Sequence, residues 1–242
     1  MKTIIKIMFG LGLVFSTFVF NSCLDDDGYS LDKACYSIAT VHPLGNSNSF
    51  WLSLDNGTTL WPVATNIPWY HPREKQRAFV VYTLLSDEFQ DYDHAVKILD
   101  VNSILTKQVA ENLGEKNDNT YGTDPVSISD MWIGDGYLNI VFEFYYGGNS
   151  VHFINLVESE SADKPYEFEF RHNGYNDEQR YRRKGIVSFD LSSVDTKGGE
   201  VELKIQVNTF EGNNQYEIKY DSSNDSATQS RNYLMESFIE TK

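Results

Sequence analysis

Apolar and polar side chains alternate residue by residue through much of the stretch 35–220. A period of two dictates strands, because successive strand residues point to opposite faces while helical neighbours recur every three to four. In the stretch 137–146, Leu138, Ile140, Phe142, Phe144 and Tyr146 share one face against Asn139 and Glu143 on the other. Tyr166, Phe168 and Phe170 alternate in the same way with Glu167, Glu169 and Arg171. Amphipathic helical spacing is scarce. With 40% hydrophobic and 14% aromatic residues among 242, the chain has enough apolar material for packed cores, which argues against disorder over most of its length.

The strands fall into two groups. Residues 35–42, 49–55, 58–63, 78–85 and 93–101 form the first, and Asn56-Gly57 between the second and third is the pair that a type I′ hairpin turn demands. Residues 64–76 carry Pro68 and Pro72 and read as loop. Five short strands over residues 35–103 fit a small OB-like five-stranded barrel, with no room for the helix that often plugs one. Residues 102–113 read as a short helix and 114–123 as a polar linker. From residue 126 about seven strands follow at regular spacing without a cysteine pair, which predicts an antiparallel Ig-like β-sandwich over residues 104–242. Near the end, residues 233–239 read as a docked strand or short helix. The predicted fold class is all-β.

Residues 1–22 read as an address. Lys2 and Lys6 precede fourteen apolar or small residues, too short a run for a membrane span of about 20 and suited to a signal peptide. Ser22-Cys23 resembles a bacterial lipobox, in which the cysteine thiol takes a diacylglycerol and the prepeptide is cut before it; Phe20 and Asn21 depart from the usual pattern. Asp25, Asp26 and Asp27 then resemble the surface-export signal of lipoproteins from the Bacteroides phylum, and otherwise read as a solvated acidic tether over residues 23–34. Cleavage before Cys23 removes both signal lysines, so the side-chain charge goes from -15 to -17. These resemblances imply an outer-membrane protein held by its lipid and facing the cell surface. A lipidated Cys23 leaves Cys35 no disulfide partner, and Cys35 reads as a small buried strand residue.

A net charge of -15 opposes binding to a nucleic-acid backbone or electrostatic docking on anionic lipid. The sequence has no Gly-x-Ser-x-Gly, no His-Glu-x-x-His, no phosphate loop and no zinc-spaced cysteine pair. His152 reads as a hydrogen-bonded residue in mid-strand. Asp118, Asn119, Thr123 and Asp124 lack the alternate spacing of a calcium loop. No catalytic residue, metal or cofactor is expected. Two features invite a partner. Trp51, Trp61, Trp69 and Tyr70 gather around the first hairpin and the following loop, where they either stack a glycan or cap the barrel core. Arg180, Arg182, Arg183 and Lys184 form the one basic cluster, read as a solvated hairpin loop or as a docking patch for an acidic protein. Asp225-Ser226-Ala227 resembles a short O-glycosylation site.

The order of these parts resembles the NigD-like proteins. The segments that carry the resemblance are Leu54-Asp55-Asn56-Gly57-Thr58-Thr59-Leu60, Leu99-Asp100-Val101-Asn102-Ser103-Ile104-Leu105-Thr106-Lys107, Trp132-Ile133-Gly134-Asp135-Gly136-Tyr137-Leu138-Asn139-Ile140 and His152-Phe153-Ile154-Asn155-Leu156-Val157. They are turn and core motifs. The resemblance implies an OB-like domain, a C-terminal sandwich and a surface lipoprotein, and the family name derives from a bacteriocin-associated operon. The reading that follows is a non-enzymatic binding module. Its alternatives are a carbohydrate-active hydrolase with dispersed carboxylates, or a bacteriocin-associated accessory or immunity protein.

Overall fold

The computed structural model describes residues 33–45, 48–148, 150–161 and 163–223. Residues 1–22, read as a signal peptide, and Cys23, Asp25, Asp26, Asp27, the Asp225-Ser226-Ala227 motif and residues 233–239 lie outside the described residues.

Strands β1 (Cys35–Pro43), β2 (Phe50–Leu54), β3 (Thr59–Thr65), β4 (Gln76–Phe89) and β5 (Tyr92–Ser103) close into a barrel in the order β1-β2-β3-β5-β4. β3 and β5 run parallel, and the other pairs antiparallel. Alternate residues fill the interior, among them Ala39, Val41, Leu52, Leu60, Val80, Val96 and Ile98. Ile67 and Tyr70, from the proline-bearing loop, pack against that core, so a loop supplies the apolar cover that the sequence left no room for a helix to give. The β2–β3 hairpin forms, but not through a type I′ turn. Only Gly57 has positive φ (81°). Its N–H bonds the Leu54 carbonyl at 2.9 Å, the Asn56 side chain accepts the Thr58 N–H, and the turn is a type I followed by a left-handed glycine. That geometry carries Asp55 inward, where it is 4% exposed.

The second domain opens with β6 (Leu105–Gln108), a 3₁₀ turn at Gly114–Lys116 and helix α1 (Asn117–Tyr121). The helix therefore sits in the expected linker, while the stretch expected to be helical holds the end of β5 and β6. Local polar bonds explain the shift: Asn112 Oδ1 accepts the Gly114 N–H at 2.7 Å and Asn117 Oδ1 accepts the Leu113 N–H at 2.8 Å. β7 (Ser127–Gly134), β8 (Tyr137–Tyr146), β9 (Phe153–Glu158), β10 (Glu167–Asn173), β11 (Tyr181–Asp190), β12 (Val201–Thr209) and β13 (Gly212–Tyr220) follow. They form two sheets, β13-β12-β10-β9 and β6-β11-β8-β7. The sandwich is mixed rather than strictly antiparallel, because β10 pairs β12 and β6 pairs β11 in parallel. β11 crosses to the opposite sheet between β10 and β12, so the returning strand lies beside β10 in the same direction. Leu138, Ile140, Phe142 and Phe144 pack there against Phe168, Phe170, Leu203 and Ile205.

A third apolar cluster joins the two domains. Ile38, Phe79 and Ile104 meet Trp132, Val141 and Ile186. Cys35, at the head of β1, is 4% exposed, the small buried strand residue expected from the sequence.

Candidate functional site

Beside the third cluster the domains share a buried charge. Arg77, on β4, is fully buried and forms an ion pair with Asp55. Its Nη1 donates to Thr40 Oγ1 at 3.0 Å, and the guanidinium lies 5.0 Å from the centre of the Tyr137 ring. Asp55 Oδ2 accepts from Trp132 Nε1 at 2.7 Å, across the domain boundary. Asn139 Oδ1 takes Arg77 Nη2 at 3.3 Å and Ser188 Oγ at 2.6 Å. A guanidinium this deep needs such a set of acceptors, and they come from both domains. The network fixes how barrel and sandwich meet.

Nearby, His42, Ser53 and Asp135 form a chain of hydrogen bonds. Ser53 Oγ donates to Asp135 Oδ2 at 2.5 Å, and His42 Nε2 lies 2.7 Å from Ser53 Oγ. Because the serine proton is committed to Asp135, His42 Nε2 must carry its own proton and donate. A nucleophilic serine needs the reverse, with an unprotonated imidazole nitrogen accepting from the hydroxyl and the carboxylate behind the imidazole. Burial lowers the His42 pKa, against the pull of Asp135 and Glu74.

The four aromatic residues singled out in the sequence separate. Tyr70 packs on Phe50 at 5.4 Å, edge to face, as a core cap. Trp69 is 70% exposed on its loop. Trp51 and Trp61 stay together through a residue that the sequence did not single out: Tyr92 lies 5.7 Å from Trp51 and 4.8 Å from Trp61. His42 stacks on Trp51 at 3.9 Å and 11°. The signal that would have found Tyr92 is long-range, namely the parallel β3–β5 pairing that brings the start of β5 to the first hairpin.

The basic cluster is not a hairpin loop. Arg182, Arg183 and Lys184 lie in β11, where alternation sends them to opposite faces. Arg182 donates to Ser127 Oγ at 2.8 Å and sits 5.1 Å from the Phe210 ring, while Arg183 lies 5.7 Å from Tyr181. Lys184 is paired across the sheet with Glu143, and Arg180 forms an ion pair with Glu178. The cluster is thus dispersed and largely matched by its own carboxylates and aromatic rings.

His152 immediately precedes β9, instead of lying in mid-strand, and is buried with His172 and Asp177. Its Nε2 is 3.2 Å from Asp177 Oδ2 and its Nδ1 is 2.8 Å from His172 Nε2. The consistent proton placement has His152 donating to Asp177 and His172 donating to His152, leaving His172 Nδ1 unprotonated. Burial first, and then the neighbouring His152, push the His172 pKa down to about 4, outweighing Asp124. The unfolded chain, with its histidines near 6.5, takes up this proton first as pH falls. The stabilisation is complete above pH 6.5 and is lost progressively down to about pH 4, by about 3 kcal/mol. Urea titrations at pH 7.5, 6 and 4.5 are expected to show a decline that His172→Gln largely removes; an equal decline in the variant contradicts the assignment.

An open groove of about 560 Å³ runs over the outer face of β10 and β12, lined by Thr123, Asp124, Glu169, Arg171, Gln206 and Asn208 among others. Asp118 pairs with Arg171 at 2.7 Å and Asp124 Oδ2 accepts the Gly174 N–H at 2.7 Å, so the two carboxylates face separate partners. Among the described residues no group of three or more His, Cys, Asp or Glu is placed to hold a metal.

A closed five-stranded barrel joined through a buried charge network to a mixed two-sheet sandwich defines a class of two-domain β proteins with a packed junction. The chain belongs to the NigD-like family: the NigD-like N-terminal OB domain matches residues 38–104 and the NigD-like C-terminal beta sandwich domain matches residues 108–220. Among solved structures, a protein from Parabacteroides distasonis named as toxin-related is 49% identical. That match covers 78% of this chain and 94% of the other, with a TM-score of 0.74. A NigD-like immunity protein from Bacteroides caccae is 21% identical over 81% of this chain and 100% of the other, with a TM-score of 0.59. A protein from Bacteroides fragilis named as a lipoprotein is 15% identical over 78% and 97%, with a TM-score of 0.53. The last two show the fold alone. Comparison with curated proteins finds no match.

Proposed function

We propose that this chain is a lipid-anchored, non-enzymatic binding module on the cell surface, serving a toxin-associated or immunity role. The observation that carries the binding reading is the chemistry of the barrel: its Ser53, His42 and Asp135 are ordered against nucleophilic catalysis, while an aromatic row stands on its outer face. Two of the buried carboxylates, Asp55 and Asp190, do not suit the hydrolase alternative. A glycosidase acid is held protonated by burial or by a second carboxylate. Asp55 is paired with Arg77 and Trp132, and the Asp190 pKa is lowered, its burial being outweighed by bonds from Ser192 and Gln108 and by Lys75. The bacteriocin-linked role is favoured by the name of the toxin-related relative.

Deleting the gene is expected to sensitise cells to toxic material secreted by their parent strain, with rescue by the wild-type chain and not by Cys23→Ser. Unchanged sensitivity contradicts the toxin-linked role. For the anchor, fractionation is expected to move Cys23→Ser from the membrane to the soluble fraction, and protease shaving of intact cells to remove the wild-type chain. A thiol that carries diacylglycerol cannot also enter a disulfide, and the chain has two cysteines. Mass spectrometry of the mature N-terminal peptide therefore separates the cases: a lipid adduct on Cys23 supports the anchor, and a disulfide-linked peptide containing Cys35 overturns it.

A further inference from the structure

The aromatic row on the barrel has a place, a shape and a charge that together specify a ligand. Leu52 and Leu60 are paired across β2 and β3 and point into the barrel, so their neighbours Trp51 and Trp61 point outward side by side. The β4–β5 hairpin projects past them and is pinned to β3 by Asp93, whose carboxylate accepts the Thr59 N–H at 2.7 Å and its hydroxyl at 2.8 Å. This brings Tyr92 between the two tryptophans, and His42 extends the row beyond Trp51. Four rings from β1, β2, β5 and β3 thus form a continuous line, each of them half-buried. The line lies on the face of the second and third strands, flanked by the β1–β2 and β4–β5 connections. On five-stranded barrels of this order that face is where oligonucleotides and oligosaccharides bind.

Charge decides between the two. The hairpin beside the row exposes Asp87, Glu88, Asp91 and Asp93, and hydrogen bonds from Thr59 hold the Asp93 carboxyl below its ordinary range. Such a rim repels a phosphate chain or an anionic glycan. It suits neutral sugar rings, whose C–H faces stack on aromatic rings and whose hydroxyls donate to carboxylates. We infer that the row Trp51–Tyr92–Trp61, with His42 at its end, is a binding site for a neutral oligosaccharide. This rests on the binding-module reading above and names its ligand class.

The test is native affinity electrophoresis of the full mature chain in gels containing laminarin, soluble starch, galactomannan or xylan, with heparin and oligo-dT as anionic arms. Retardation by at least one neutral polysaccharide is expected. Affinity is expected to fall about tenfold or more in Trp51→Ala and in Trp61→Ala, as for loss of one stacked ring. Trp61→Phe, which keeps a ring, is expected to restore most of it, and Trp69→Ala, outside the row, to leave it unchanged. Thermal unfolding of each variant shows that the fold persists. No retardation by any neutral polysaccharide, retention of binding in both alanine variants, or binding confined to the anionic probes overturns the inference. If sugar binding is absent while the wild-type gene still rescues the deletion strain and Trp51→Ala/Trp61→Ala does not, the ligand class is wrong and the binding-module reading stands.

Discussion

Asp55→Ala is expected to lower the unfolding free energy by about 3–5 kcal/mol, because it strands a buried guanidinium. Arg77 is fully buried, and Asp55 is its ion-pair partner and also the acceptor of the Trp132 indole N–H from the second domain. Removing the carboxylate deprives both donors at once. Urea unfolding followed by tryptophan fluorescence and by circular dichroism measures the loss, and a change below about 1 kcal/mol contradicts the role of this pair. A second variant sharpens the test. A buried pair replaced by apolar groups is often close to neutral, whereas a lone buried charge is not. Asp55→Ala/Arg77→Met is therefore expected to be more stable than Asp55→Ala alone. Limited proteolysis between β5 and β6 should also accelerate in the single variant, since the network joins the domains there.

Phe142→Ala is expected to cost a similar amount, about 3–5 kcal/mol, by a different mechanism: lost apolar burial plus a cavity that the sandwich cannot collapse. Phe142 is fully buried at the centre of the sandwich, 5.5 Å from Phe144 and 5.3 Å from Phe170. Gly185, opposite it on β11, has no room for a methyl group, since an added Cβ would lie 2.8 Å from Phe142 Cζ. Gly185→Ala is thus expected to destabilise the wild type by about 1–3 kcal/mol through overpacking, and to cost much less in the Phe142→Ala background. Additive effects would contradict the contact. The cluster of Ile38, Phe79, Ile104, Trp132, Val141 and Ile186 makes the barrel unfold with the sandwich in either variant, as a single transition.

Much of the architecture is legible in the residues because alternation is a local property. The face of Leu138, Ile140, Phe142 and Phe144 can be named without knowing what covers it, and so can the first hairpin from Asn56-Gly57. The turn type was not legible. Gly57 needs positive φ, but Asn56 satisfies the Thr58 N–H with its side chain and stays in ordinary backbone. The aromatic row was half legible: Trp51 and Trp61 stand out by composition, whereas Tyr92 and His42 join them only through strand pairing. Arg77 fell just outside the expected strand of residues 78–85, and Asp55 read as the end of one. Neither announced an ion pair.

By itself the sequence determined a β protein of two domains, because backbone periodicity acts over a few positions. Tertiary structure decided which polar groups are buried, which strands run parallel and which rings share a surface. Those outcomes depend on contacts such as Arg77–Asp55, 22 residues apart, and Trp132–Asp55, 77 apart, which exist only once the barrel has closed and the sandwich has docked on it. A buried charge is tolerable only where its acceptors converge, and convergence is a property of the closed fold.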